Sequence, residues 1–594
     1  MPLFEKVLIA NRGEIAVRVI RTCRELGIAT AVVASDADSN ALHVRMADEV
    51  VSIGGRAAIE SYLRIDAITD AVRSTGADAV HPGYGFLSEQ AHAAIAVAAA
   101  GAVWIGPPPS AIAAMGDKMS ARAVAVLAGV PVVPGTDAAV RSGDDIRAFA
   151  GQPGIGYPVA VKASFGGGGR GMKVVRSAAE ADELLESARR EAAASFGNDE
   201  CYVERYLAWP RHVEVQVLAD GHGNVVAVGE RDCSVQRRHQ KLVEEAPAPG
   251  LDADMRAAMH AAAVRVCREV GYRNAGTVEM IVQDGEYFFL EVNARLQVEH
   301  PVTELVTGLD LVAEQIRVAA GLPLSFGATA PTSRGHAIEV RINAEDPAGG
   351  RFLPSPGRIV GMRVPSGPGV RWDGGYEAGD EVPPFYDNLV GKLIVWAPDR
   401  DASRARMLRA LSELGVDGVA TTADVVATII GHPDFARVAH ATRWVEESLT
   451  FDDATAAAGT NPARRDANLQ DVAPALRREV EVGGRRYFVP VLQDGPTPAD
   501  SPSSASATHA PIRSTRAVRT AARATGVVVA PMQGTVTKVF VAAGDAVVLG
   551  QTMVVLEAMK MENPLVADRD GTVAEVAVAA GALVGPGDLL VRLT

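Results

Sequence analysis

The first apolar run, KVLIA at 6–10, is short and unbroken and predicts a buried strand. From Glu14 to Leu26 the pattern is helical until Gly27 stops it, and a second apolar run, IATAVVA at 28–34, follows. Strand, helix and strand at this spacing form a βαβ unit, so the chain opens on an α/β sheet. Similar alternation runs to about Pro109, then strands and helices continue from Met115 to about Leu322 around a glycine-rich loop. Two-residue alternation in TVEMIV and FLEVN predicts two strands, the first carrying Glu279 and the second holding Glu291 and Asn293 on one face. A further stretch, about 331–447, begins HAIEVRINAEDP and holds several alternating strands. Residues 452–475 show no clear period, while EVEVGGRRYFVPV at 479–491 predicts a hairpin turning at Gly483-Gly484.

The last 70 or so residues repeat themselves. Gly534-Thr535-Val536 matches Gly571-Thr572-Val573, Val541–Gly544 matches Val578–Gly581, Gly550 matches Gly587 and Leu556 matches Leu593, all at an offset of 37 residues. Each half is rich in valine and turn glycines, so two short-stranded β units sharing one core are expected, as a flattened barrel or sandwich. The loop Glu557-Ala558-Met559-Lys560-Met561-Glu562 joins the halves and has no counterpart in the second. A lysine between two methionines at a hairpin tip adds exposed apolar surface that stability alone does not call for.

Composition narrows the class. At 594 residues the chain is too long for one core, so three to five domains are expected. A net charge of −14 argues against a nucleic-acid binder, which needs a basic footprint. No stretch approaches the ~20 apolar residues of a membrane span, and Glu5 and Lys6 interrupt any secretory h-region. The four cysteines, Cys23, Cys201, Cys233 and Cys267, form no CxxC pair, so neither zinc nor a disulfide framework is indicated. A cytoplasmic protein is the expectation. Residues 492–524, rich in Pro, Ser, Ala and Thr, predict a linker spanning roughly 30 Å as a flexible coil, and Arg513, Arg516, Arg519 and Arg523 at its end read as solvated charge.

Three clusters carry candidate chemistry. KASFGGGGRG (162–171) follows a strand, and its glycines let backbone N–H groups close over a polyanion, although it is not a Walker P-loop. Lys118 and Lys162 offer charge to phosphates. Glu279, Glu291 and Asn293 offer hard oxygen ligands of the kind Mg²⁺ takes while bridging ATP phosphates. Arg237, Arg238, His239, Gln240 and Lys241 pack basic charge into an acidic chain, which suggests anion handling.

These motifs reach a known family. EAMKME, with Ala530-Pro531-Met532 and Gly534 upstream, resembles the attachment motif of biotinyl carrier domains and implies biotin on Lys560; lipoyl domains share the fold but do not normally bracket their lysine with two methionines. The three clusters, with IANRGEIA (9–16), HPGYGFLSE (81–89), RHVEVQV (211–217), EVRINAED (339–346) and YDNLVGKL (386–393), resemble biotin carboxylases of the ATP-grasp superfamily. The resemblance implies a multidomain α/β protein. It comprises a Rossmann-like N-terminal domain (1–114), an ATP-grasp α+β domain with a mobile lid (115–330) and a mixed C-terminal carboxylase domain (331–447). A short bridging segment (448–491), the linker (492–524) and an all-β biotinyl domain (525–594) complete it.

The same resemblance implies roles. Lys118, Lys162 and Gly166, Gly167, Gly168 and Gly169 are expected at the ATP phosphates; Glu204, Leu207, His212, Gln236 and His239 at the rest of the nucleotide; Glu279, Glu291 and Asn293 at Mg²⁺ or Mn²⁺. Lys241, Arg295, Gln297, Val298, Tyr84 and Arg341 are expected at bicarbonate and biotin, with Glu299 as general base and Arg341 as stabiliser of biotin's enolate. ATP would activate bicarbonate as carboxyphosphate, where positioning and charge matter more than covalent help. Phe165 stands where many relatives have another glycine, which bears on lid flexibility, and Ala294 replaces a common threonine.

A carboxylase and a carrier on one chain, without a carboxyltransferase, resemble the α subunit of acyl-CoA carboxylases. The partners implied are a carboxyltransferase β subunit, contacted through 452–491, a biotin protein ligase, and a second copy in a biotin carboxylase homodimer within a larger α/β complex; no nucleic acid and no membrane. Two other readings stand beside it. An ATP-grasp ligase for another acid is opposed by EAMKME, and a non-enzymatic carrier by the intact Lys118, Lys162, Glu279, Glu291, Glu299 and Arg341.

Overall fold

The structure is a computed structural model. It describes residues 3–164, 172–196, 198–451, 477–482, 485–490, 526–532, 534–558, 561–585 and 587–594. Phe165, Gly166–Gly169, Lys560, the linker and most of the bridging segment lie outside the described residues.

The opening βαβ unit forms as its pattern predicts. Lys6–Ile9 and Ala29–Ala34 are parallel neighbours, joined by the helix Gly13–Glu25, which begins one residue before Glu14. Ile15, Val19, Ile20 and Cys23 recur at helical spacing and pack onto the sheet. Three more crossovers complete five parallel strands in the order Glu49–Ser52, Ala29–Ala34, Lys6–Ile9, Ala79–His81, Val103–Trp104. The reversal of strand order lies at Lys6–Ile9, and the loops leaving its C-terminal end and that of Ala79–His81 carry Asn11 and Tyr84. Such a switch point leaves a crevice between diverging connections.

The centre of the molecule is an eight-stranded antiparallel sheet. Its order is Glu286–Asn293, Asn274–Gln283, Arg211–Ala219, Val225–Arg237, Gln240–Ala246, His336–Asn343, Leu389–Ala397 and Val370–Gly374. It runs unbroken across the boundary expected at 330/331, because Gln240–Ala246 pairs with His336–Asn343. The helix Ala253–Glu269 covers one flank with Met259, Ala262, Ala263, Val266 and Cys267.

A separate three-stranded sheet, Lys173–Val175, Val159–Ala163 and Cys201–Arg205, brackets the glycine-rich segment. The helix Ala181–Phe196 backs it with Ala181, Leu185, Ala188 and Ala192. Bridges at Val132↔Phe289 and Gly135↔Glu204 tie it to the edge of the large sheet.

Arg477–Val482 and Arg485–Pro490 pair antiparallel, as the hairpin reading predicts. In the C-terminal unit the 37-residue repeat becomes geometry. One sheet is ordered Val527–Val529, Leu589–Leu593, Gly571–Val576, Ala546–Val547; the other Met561–Val566, Thr552–Ala558, Gly534–Val539, Leu583–Val584. Adding or subtracting the offset converts one order into the other. The two sheets therefore share a core of equivalent residues, including Val536 and Val573, and Leu556 and Leu593. Ala558 pairs with Met561, on either side of Met559 and Lys560.

Candidate active site

The face of the large sheet that looks toward the N-terminal unit gathers buried charge. Alternation puts His212, Glu214 and Gln216 on one side of Arg211–Ala219. Register then sets Glu214 opposite Glu279, Glu279 opposite Glu291, and Gln236 opposite Lys241. The chain reaches Glu299 at the start of the helix His300–Thr307, which crosses this face and packs Val302 and Val306 against Ala246, Ala337 and Ile394.

Lys241 lies at the hub. Its Nζ donates to Glu214 at 2.7 Å, to Glu279 at 3.2 Å and to Oε1 of Glu299 at 2.5 Å. Arg341 takes the other oxygen of Glu299 at 3.0 Å and holds Glu244 at 2.7 Å. Arg231, fully buried, donates to Glu214 at 2.7 Å and to Gln216 and Thr303. His212 Nε2 stands 3.1 Å from Glu279. Four cationic groups thus face four carboxylates out of water, the condition under which buried charge is tolerated.

The electrostatics follow from this pairing. Burial alone would raise Glu214 and Glu279, but Lys241, with Arg231 on the first and His212 on the second, outweighs it and holds both below the usual carboxylate range. Glu299 is likewise lowered, burial being overcome by Lys241 and Arg341 against the push of Glu214. Burial would lower His212, yet Glu279 raises it to about 9. Lys241 is raised for the same reason, its three carboxylates overcoming burial.

A rim of amides and arginine adjoins the hub. Asn293 and Gln297 donate to Glu279 Oε1 at 2.8 and 3.0 Å, and Arg295 donates to Asn293 at 2.9 Å and Gln297 at 3.2 Å while pairing with Glu89 at 3.0 Å. The carbonyl of Val298 accepts from buried Lys392 at 2.7 Å. Tyr84 donates its hydroxyl to Glu14, beside the same lysine. On the three-stranded sheet Lys162 pairs with Glu204, and Leu207 is half-buried on the turn that follows. Lys118 begins the helix Lys118–Leu127, capped by Asp117.

The basic cluster at 237–241 does not act as one. Its residues alternate across the strand pair, so Lys241 enters the hub while Arg237 leaves on the opposite face, 4.0 Å over the Phe352 ring. Arg238 and His239 occupy the exposed turn, and Gln236 lies 3.1 Å from His212 instead. Sequence reasoning also passed over Glu214, Arg231, Glu244, Glu339 and Lys392. The signal was two-residue spacing inside motifs already singled out: 212 to 214 in RHVEVQV and 339 to 341 in EVRINAED.

The donor set fits magnesium and ATP: Glu279 and Glu291 face each other and Asn293 adds an amide oxygen on the same face. Residues 3–112 match the family described as biotin carboxylase, N-terminal domain; 117–326 the ATP-binding domain of the carbamoyl-phosphate synthase L chain; 339–447 the biotin carboxylase C-terminal domain; and 526–593 the biotin-requiring enzyme domain. The chain is 48% identical to the biotin-dependent acyl-coenzyme A carboxylase alpha3 subunit of Mycobacterium leprae, over 94% of this chain and 93% of that one. The chain belongs to the biotin-dependent acyl-CoA carboxylase α-subunit family.

Solved structures agree with this family. Biotin carboxylase of Campylobacter jejuni in its β,γ-ATP complex matches with a TM-score of 0.71 at 43% identity, over 75% of this chain and 98% of that one. The biotin carboxylase domain dimer of Hydrogenobacter thermophilus 2-oxoglutarate carboxylase, holding MgADP, ADP and bicarbonate, matches with a TM-score of 0.70 at 45% identity, over 75% and 97%. This member of the α-subunit family is an ATP-grasp biotin carboxylase with a fused biotin carrier, using ATP, magnesium and biotin. Its four cysteines are buried and unpaired, and among the described residues no helix is long and apolar enough to cross a membrane.

Proposed function

We propose that this chain carboxylates biotin on its own Lys560 and passes the carboxyl group to a separate carboxyltransferase β subunit that binds an acyl-CoA. The observation that carries the reading is Glu299 held at both oxygens, by Lys241 and by Arg341. Glu299 takes the proton of bicarbonate. Its lowered proton affinity keeps it ionised, and an anion entering between Lys241, Arg295 and the Gln297 amide shares their positive charge and returns basicity to Glu299. Arg341 then faces the negative charge that develops on the carboxyl acceptor, in a site whose dipoles are already oriented. The backbone of Val298 is fixed by Lys392, and Tyr84 closes the crevice from the switch-point loop.

Glu279, Glu291 and Asn293 would hold magnesium, which supplies charge to the phosphates of bound ATP. Lys118, Lys162 and Gly166–Gly169 serve those phosphates, and Glu204, Leu207, His212, Gln236 and His239 line the nucleoside side. The domain divisions at 114, 330, 447, 491 and 524 belong to the same reading. So do a homodimer of the carboxylase part, biotinylation by a biotin protein ligase, and a cytoplasmic setting. The segment 452–491 is the proposed β-subunit contact; an α–β complex that survives its deletion in gel filtration removes that part.

The test is ATP hydrolysis by the purified chain with Mg²⁺, with and without bicarbonate and free biotin. Turnover that requires bicarbonate, rises with biotin and is lost in Glu299→Ala supports the reading; turnover indifferent to bicarbonate overturns it. Lys560→Arg should abolish streptavidin reactivity while leaving free-biotin-stimulated turnover.

A further inference from the structure

The sheet face that carries Arg341 also carries an acid with no hydrogen-bond partner among the described residues. Glu339 lies two residues before Arg341 on the strand His336–Asn343 and is fully buried. Neither of its carboxyl oxygens has a hydrogen-bond partner among the described residues. It stands directly opposite Glu244 on Gln240–Ala246, with apolar Ile394 opposite on its other side. Glu244 gives Oε1 to Arg341, and its Oε2 is likewise buried and without a hydrogen-bond partner. Three unsatisfied carboxyl oxygens therefore belong to one directly opposed pair, whose Cβ atoms in such a ladder lie about 5 Å apart.

Two ionised carboxylates there would be desolvated and mutually repelling, and like charges directly opposed destabilise a sheet. One proton relieves both costs and turns an orphan oxygen into a donor for another. We propose that Glu244 and Glu339 hold a single proton between them, so that the pair presents one negative charge to Arg341, and that Glu339 is a positioning residue for that arginine. This rests on the roles given to Arg341 and Glu299 under the proposed function.

The surroundings agree on every side. Arg341 is on the same strand as Glu339, Glu244 on one neighbouring strand and Lys392 on the other. Glu299 and buried His300 come from the start of the helix that packs over the face. Lys392 is directed to the Val298 carbonyl and Glu14, and Glu299 to Lys241 and Arg341. Burial pushes His300 well below its usual range, and Lys392 adds to that, leaving it neutral. Burial pushes Glu244 up to about 7 against the pull of Arg341, with Glu299 adding to the push. Burial raises Glu339 further, against Lys392 and with Glu244. A pair of this kind titrates in two separated steps that belong to the pair.

With one charge on the pair, Arg341 balances that charge and Glu299 together. Loss of the shared proton places a third carboxylate charge around one guanidinium and draws it from the acceptor. The alkaline limb of turnover should therefore report the pair.

The experiment uses the full-length chain. The infrared spectrum of the wild type minus that of Glu339→Gln, at about pH 6 where ordinary carboxyls are ionised, should show the carbonyl stretch of a protonated carboxylic acid; Glu345, which burial raises to about 7, contributes to both spectra and cancels. In Glu339→Gln the alkaline limb of bicarbonate-dependent ATP hydrolysis should move up by about one pH unit or more, with the acid limb in place. A difference spectrum without the band, or turnover reduced at every pH with no limb displaced, would overturn the proposal. Should Glu339→Gln not fold, the band followed across pH in Glu345→Gln, which lacks the other raised carboxyl, decides by its presence or absence. The band addresses the shared proton alone, whereas the Glu299→Ala turnover test addresses the role of the site, so the two failures are separable.

Discussion

Glu279 and Glu291 face each other across adjacent antiparallel strands. Like charges in register oppose sheet formation, and Glu279 is compensated by Lys241, His212, Asn293 and Gln297. Under the proposed function the same pair holds magnesium, which adds a divalent charge between the two carboxylates. Glu291→Gln should weaken MgADP binding by about tenfold or more by calorimetry, since a hard divalent ion loses an ionised ligand. Its thermal midpoint in EDTA should not fall. A variant that binds MgADP as the wild type does would remove Glu291 from the metal set.

Among the described residues, Lys241 is the one cation that joins Glu214, Glu279 and Glu299. Replacing it with methionine keeps much of its volume but leaves the three carboxylates short of one positive charge. Removing one partner of a buried ion pair costs about 3–5 kcal/mol. Lys241→Met should lose bicarbonate-dependent turnover and unfold at lower denaturant concentration. The double variant Lys241→Met/Glu214→Gln should recover stability without activity, because it deletes one of the uncompensated charges. Stability of Lys241→Met equal to the wild type would show that the hub is solvated in solution.

Much of this was legible beforehand. The opening βαβ unit, the strands bearing Glu279 and Glu291, the hairpin at 479–491 and the two-fold C-terminal unit follow from apolar spacing, which records what each residue buries locally. What did not follow is the pairing of distant strands. The basic run at 237–241 looked like one patch because sequence proximity hides the alternation that separates Arg237 from Lys241. Nor did anything local announce that His336–Asn343 adds to the sheet begun a hundred residues earlier and so brings Arg341 and Glu339 to Glu244. Register across that sheet is a property of the whole fold.

His212 gives the hub a pH signature. Its folded value is about 9 against about 6.5 for a free imidazole, because Glu279 outweighs burial. The folded state therefore binds this proton more tightly than the unfolded chain. The stabilisation is fully present below about pH 6.5 and is lost as pH rises through about 9, amounting to roughly 3 kcal/mol at about 1.4 per unit. Denaturant unfolding in EDTA should show stability declining across that window, and His212→Gln should flatten the decline. A wild-type curve level from pH 6 to 9 would mean that His212 is neutral in the fold.

The 37-residue symmetry predicts matched costs in the C-terminal unit. Leu556 and Leu593 are equivalent positions, both buried in one core, on the strands Thr552–Ala558 and Leu589–Leu593. Leucine to alanine in a shared core costs about 2–5 kcal/mol wherever the cavity cannot collapse. Both variants should lower the unfolding midpoint of this unit in the full-length chain by similar amounts. Their effects on biotinylation should differ, because only Leu556 lies on the strand that leads into the segment bearing Lys560. Leu556→Ala should lower streptavidin reactivity more than Leu593→Ala does at equal stability loss. If one substitution were silent in the unfolding midpoint, the two halves would not share a single core, and the repeat would be a likeness of sequence alone.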